Sequence, residues 1–184
     1  MENREYLQEL SSQATSLGLS FDVSSSDSTP LAKDVSVLFV PSFSESQRTY
    51  LLDVSEMLVY TPSFEHFGIV PIEGMYARLP VIAVNNGGPT ESILDGITGY
   101  LADPDPSSFS SAMLKVLQLA PAKRLEMGKA GRERVLAHFS VSKFVQELLA
   151  VLRVVQGKKV QERSLGWIWL GVLLLLLGVL LNRF

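Results

Sequence analysis

A chain of 184 residues with 47% apolar content and a net charge of −3 has room for one modest domain and a tail. Its 16 lysines and arginines are scattered along the sequence, which excludes an extended basic surface for nucleic acid. The absence of cysteine excludes disulfides, thiolate metal sites and cysteine nucleophiles.

In chain order, Tyr6, Leu7, Leu10, Ala14 and Leu17 fall at helical spacing and predict an opening helix; no secretory signal precedes it, so the start reads as cytosolic. Residues 22–30 read as a polar loop and 35–40 as a strand. Ser44 is placed to cap a helix over 45–55, whose apolar side carries Tyr50, Leu51, Leu52 and Val54. That helix leads back to a short buried strand at 57–60, which makes a β-α-β unit.

The stretch that follows carries the chemistry. Residues 61–63 form the exit turn, and from Gly68 a helix is expected, with Pro71 tolerated in its first turn. Glu65 then lies in the loop and Glu73 inside the helix, ~8–9 Å along the axis if the helix begins near Phe67, at the carboxyl end of the strand, where open α/β sheets bind ligands. N–H groups at residues 67–69 and the positive end of the helix dipole favour a phosphate, and Gly68 lets it come close to the backbone. A carboxylate accepts two hydroxyl hydrogen bonds, so Glu73 suits a ribose diol and Glu65 a second sugar across the phosphates. Two other readings stay open from spacing alone. Both glutamates can be solvated charges at a helix end, or the converging acid and nucleophile of a glycosidase, which leaves Gly68 without a role.

Residues 80–84 predict another strand, Asn86-Gly87-Gly88-Pro89 a loop, Thr90 the start of a helix of about two turns, and 99–102 a further strand. For Gly87-Gly88 a plain turn and a ligand contact both fit. Continued alternation predicts an α/β, Rossmann-like, doubly wound parallel sheet with right-handed connections. Helices are expected at 107–119, 122–139 and 141–155, with Gly128 and Gly131 loosening the middle one. Asp103-Pro104-Asp105 has a metal-binding form, but Asp105 reads better as an N-cap with Pro106 in the first helical position. The only histidines, His66 and His138, are far apart in sequence, and no metal site is expected; for His66 a site-lining and a packing role stand about even.

The tail is distinct. Residues 165–181 carry no charge, with Trp167 and Trp169 near the entry, which is the short end of a membrane span of ~17–25 residues and suits a thin bilayer. Lys158, Lys159 and Arg163 precede the run and only Arg183 follows it, which orients the globular part to the cytosol. The organisation expected is a domain at 1–156, a basic linker at 157–164 and a transmembrane helix at 165–181.

The forms EHFGIVPIEGM at 65–75, PVIAVNNGGPTESI at 80–93 and DGITGYLADPDP at 95–106 resemble the nucleotide-sugar-binding half of retaining GT-B glycosyltransferases. Among these they most resemble the α-1,3/1,6-mannosyltransferases of the dolichol-linked oligosaccharide pathway. The resemblance implies the C-terminal half of a GT-B fold, incomplete at its N-terminus, since the first β-α unit of that half and the acceptor domain have no counterpart here. It implies that Glu65 is catalytic and holds the donor sugar, that Glu73 holds the ribose, and that Phe67, Gly68 and Ile69 offer N–H groups to the diphosphate. His66, Asn86, Gly87, Gly88 and Glu91 complete the implied substrate site. Transfer would run from GDP-mannose to a lipid-linked oligosaccharide at the endoplasmic-reticulum membrane, without a further cofactor, beside other glycosyltransferases of the pathway. The competing class is a tail-anchored, non-catalytic interaction or regulatory protein that retains the fold.

Overall fold

In the computed structural model of the chain, residues 2–24 and 35–157 are described. Their elements run α1 (Glu2–Ser16), β1 (Phe21–Val23), β2 (Val37–Phe39), α2 (Glu45–Val54), β3 (Leu58–Tyr60), α3 (Ile69–Tyr76), β4 (Val81–Val84), α4 (Pro89–Ser92), β5 (Gly99–Ala102), α5 (Pro106–Gln118), α6 (Pro121–His138) and α7 (Val141–Gly157). The described residues divide into two compact units, the first ending at Glu133 and the second beginning at Arg134, so the division falls within α6. Gly157 ends α7; the rest of the expected linker at 157–164 and the expected span at 165–181 lie outside the described residues.

All strand pairings between named strands are parallel, as expected, but they form two hydrogen-bonded sheets instead of one continuous sheet. β1 pairs with β2, and β3-β4-β5 make the larger sheet. The β-α-β unit read at 35–60 therefore joins two sheets, with β2 in one and β3 in the other. β1 itself corrects the polar-loop reading at Asp22 and Val23, while residues 25–30 of that expected loop lie outside the described residues. Its register with β2 is extended by Ser36 N–H donating to the Ser20 carbonyl (2.9 Å) and Ser24 N–H to that of Phe39 (2.8 Å). An edge contact between the Phe21 and Phe39 rings, 5.8 Å between centroids, adds apolar contact that a strand of three residues lacks alone.

The core of the larger sheet is β4, buried along its whole length. Successive side chains of a strand point to opposite faces. Val81 faces α3, where a Cβ on Gly74 would lie 3.1 Å from its Cγ2, while Ile82 packs with Ala112 and Val116 of α5 and Ala102 of β5. Helices thus cover both faces, the doubly wound arrangement. Such burial contributes roughly 1.5–3 kcal/mol for each large aliphatic side chain.

Helix ends follow the sequence closely. The Ser44 hydroxyl accepts from Gln47 N–H and the Gln47 side chain accepts from Ser44 N–H, a full capping box. Asp105 caps α5 from Ser108 N–H at 2.9 Å, with Pro106 in the first turn. The helix expected from Thr90 is a single turn, α4, because Ile93 turns to extended geometry (φ −95°, ψ 133°) and buries its side chain. Gly128 has a packing role that the sequence reading did not foresee: a Cβ there would stand 2.0 Å from the Arg78 carbonyl, so α6 lies directly against the end of α3.

By length and composition, the helical stretch Pro121–Val155 can cross a membrane, with a window of mean hydropathy 1.4.

Candidate functional site

β3 and β4 are parallel neighbours, so the segments that leave them, 61–68 and 85–88, emerge together at the carboxyl end of the sheet. They form a stapled double loop. Gly88 N–H donates to the Glu65 carbonyl at 2.8 Å, and Phe64 N–H donates to the Asn86 side-chain oxygen at 2.8 Å. Phe64 sits at φ 61°, the left-handed region that costs a bulky residue energy, immediately before Glu65.

Gly87 and Gly88 make that approach possible. Gly87 adopts φ 60°, and a Cβ on it would lie 2.4 Å from the Glu65 carbonyl oxygen; one on Gly88 would lie 2.4 Å from the Phe67 carbonyl oxygen. The space these glycines leave is taken by the chain around Glu65 to Phe67.

Gly68 is the N-cap of α3 at φ 75°, without a capping side chain, so the first-turn N–H groups have no side-chain oxygen at the cap. The helix begins at Ile69, two residues beyond Phe67, which leaves Glu73 ~6 Å along the axis. Phe67 and Ile69 are exposed, 46% and 60%, as is His66. Glu65 and Glu73 are both part-buried. Glu91 is exposed on α4, three residues past Gly88. The structure therefore gathers Glu65 through Gly68 with Asn86, Gly87 and Gly88 in one double loop, with Ile69 and Glu73 on the helix that grows from it.

The sequence profile of the family described as glycosyl transferases group 1 matches residues 26–134, more than half of the chain. This chain belongs to the group 1 glycosyl transferases. It is 40% identical over 172 residues to the alpha-1,3/1,6-mannosyltransferase ALG2 of Rhizomucor pusillus, covering 92% of this chain and 38% of the relative. To the alpha-1,3/1,6-mannosyltransferase ALG2 of Mus musculus it is 51% identical over 112 residues, covering 61% of this chain and 27% of the relative. The chain thus spans about a third of the length of these relatives. Among solved structures, Anabaena Alr3699/HepE in complex with UDP superposes with a TM-score of 0.68 at 21% identity, covering 84% of this chain and 38% of that one, a likeness of fold.

In this group 1 glycosyl transferase two residues that sequence spacing did not single out stand beside the two glutamates. The Tyr60 phenol, at the end of β3, stands near the Glu65 carboxylate; burial first, and then the Glu65 charge, raise its pKa above the usual tyrosine value. Arg48 on α2 sends one guanidinium arm to Glu73 and the other to Glu45, and these two carboxylates, Glu73 foremost, hold its pKa above the usual arginine value. Tyr60 could have been found from its place at a strand end five residues before Glu65. Arg48 could not, because 25 residues and a strand separate it from Glu73.

A separate cleft of about 360 Å³ opens beside β5, lined in part by Asn85, Asp103, Ser108 and Lys115, and contains none of the expected site residues. Among the described residues no group of three or more His, Cys, Asp or Glu side chains is arranged for a metal ion.

Proposed function

We propose that this chain is the donor-binding part of an α-1,3/1,6-mannosyltransferase that moves mannose from GDP-mannose to a dolichol-diphosphate-linked oligosaccharide. The observation that carries the reading is the double loop at the carboxyl end of the sheet, which presents Glu65 in the loop and Glu73 on α3 in a chain 40% identical to a relative named for that activity. In this reading Glu73 accepts from the ribose hydroxyls and Glu65 from the mannose, while the uncapped start of α3 faces the diphosphate. The bond from the mannose anomeric carbon to the GDP oxygen breaks as the bond to the acceptor oxygen forms, the acceptor hydroxyl gives its proton to the departing phosphate, and the remaining phosphate charge is met by the helix terminus. No cofactor enters, and Asp105 is engaged as a helix cap. His66 lines the same loop.

The break between the two sheets supports a domain completed by further sequence. In the 3-2-1-4-5-6 order of a doubly wound sheet, β2 and β1 fill positions 3 and 2, and β3, β4 and β5 fill 4, 5 and 6. Position 1 belongs to a strand that precedes β1, which fits a chain spanning about a third of its relatives.

The uncharged run 165–181 serves as the anchor in this reading, in preference to α7, whose sequence carries Lys143, Glu147 and Arg153. The basic residues before the run set the globular part on the cytosolic side of the endoplasmic reticulum.

The test is transfer assayed on the full chain in detergent with GDP-mannose and a lipid-linked acceptor, with and without the acceptor half of a complete relative. Transfer only on complementation is expected, because positioning both substrates contributes ~7–11 kcal/mol toward the barrier in well-oriented systems. Glu73→Gln is expected to weaken GDP binding by about 1.5–3 kcal/mol. No transfer in either arm, with GDP affinity unchanged by Glu73→Gln, would favour the non-catalytic reading.

A further inference from the structure

We propose that Arg48 is a positioning residue for the nucleotide ribose: it holds one oxygen of the Glu73 carboxylate and thereby presents the other to the ribose hydroxyls. The inference rests on the donor reading above and adds to it a residue outside the Glu65–Glu73 motif.

The geometry is specific. Arg48 Nη1 donates to Glu73 Oε1, and Arg48 Nη2 donates to Glu45 Oε2 at 2.5 Å. The guanidinium is thus forked between two carboxylates on different helices, α2 and α3. Among the described residues only Oε1 of Glu73 is engaged, so Oε2 is the atom offered to a ligand. Both members are part-shielded, with side chains 33% and 31% exposed, where a charged hydrogen bond is less screened than on an open surface.

Arg48 is itself held. Glu45 engages its second arm from one turn earlier, and the Ser44–Gln47 capping box fixes the start of the same helix. A glutamate on a helix otherwise samples several rotamers, and ordering it when ligand binds costs free energy. Fixing one oxygen before the ligand arrives removes part of that cost, which is how preorganisation raises affinity. Arginine addresses the two carboxylates from two separate nitrogens of a rigid plane, whereas a lysine would have to reach both from a single nitrogen on a flexible stem.

The alternative is that Arg48 leaves Glu73 and binds the nucleotide phosphates directly. The two roles separate when the ribose hydroxyls are removed and the phosphates kept. Calorimetry of the full chain in detergent compares GDP with 2′,3′-dideoxy-GDP for the native chain, Arg48→Met, Arg48→Lys, Glu73→Gln and the Arg48→Met/Glu73→Gln double variant, with thermal unfolding recorded for each.

The native chain is expected to bind GDP about tenfold or more tightly than the dideoxy analogue. Arg48→Met should lose most of that preference while binding the analogue as before, Arg48→Lys should recover part of it, and the double variant should be no worse than Glu73→Gln alone. Equal loss for both nucleotides in Arg48→Met would overturn the positioning role in favour of phosphate contact or general destabilisation, while the native preference would leave the donor reading standing. A native chain that binds neither nucleotide, or both equally, would overturn the donor reading and this proposal with it.

Discussion

The Gly88 N–H donates to the Glu65 carbonyl across 2.8 Å, and this bond joins the loop after β4 to the loop that carries the first glutamate. A Cβ on Gly88 would fall 2.4 Å from the Phe67 carbonyl oxygen, a distance that rotamer change cannot relieve because the oxygen is backbone and a Cβ is fixed by its own backbone. Gly88→Ala is therefore expected to push the two loops apart. Nucleotide affinity should fall more than tenfold, and the melting temperature should drop, because the bond and the strained Phe64 conformation depend on the same approach. Alanine at Gly18, where a Cβ would meet nothing within 4 Å although φ is +70°, is the control: it bears the left-handed strain alone and should leave nucleotide affinity unchanged. Calorimetry and circular dichroism on both variants check this.

Tyr60→Phe removes the hydroxyl that stands near the Glu65 carboxylate while keeping the ring. Affinity for GDP-mannose should fall several-fold, with affinity for GDP nearly unchanged, if Glu65 addresses the sugar and Glu73 the nucleotide. The pH dependence has a definite sign. The Tyr60 pKa is raised above 10.0, first by burial and then by Glu65, so its contribution to stability is complete below pH 10 and is lost as pH rises through the folded-state value. The native chain should lose melting temperature more steeply than Tyr60→Phe in that alkaline window, measured by thermal unfolding against pH.

Asp105 behaves in the opposite sense. Its carboxylate accepts from the Ser108 hydroxyl at 2.6 Å and the Ser108 N–H at 2.9 Å, and these bonds lower its pKa below 3.8. Its contribution is present above pH 3.8 and is lost as pH falls through the folded-state value. Asp105→Ala should melt at lower temperature than the native chain at neutral pH, and the difference should close in acid below that value. Asp105→Asn, still a good N-cap, should lose less at neutral pH.

The uncharged run at 165–181 predicts that the chain sediments with membranes and resists alkaline extraction, and that deleting 165–184 releases it. Extraction of the full chain at alkaline pH would overturn the anchor reading. Continued sedimentation after the deletion would point to the Pro121–Val155 stretch.

Local chemistry made much of this protein legible from the residues alone. Ser44 with Gln47, and Asp105 with Pro106, mark helix starts because a capping side chain reaches only neighbouring N–H groups. The apolar run at 81–84 marks a strand covered on both faces, and Gly68 ahead of Pro71 marks the start of α3. Tertiary structure decided what depends on partners distant in sequence. β1 exists through its pairing with β2, since three residues that include an aspartate lack strand character until a neighbour supplies the ladder. α4 stops after one turn because Ile93 is needed in the core. Gly87-Gly88 reads in sequence as a turn or a ligand contact, and only the fold shows that the space is filled by the Glu65–Phe67 backbone. Arg48 reaches Glu73 because α2 and α3 are brought together by strands that no local pattern couples, so the side chain holding the second glutamate had to be seen in three dimensions.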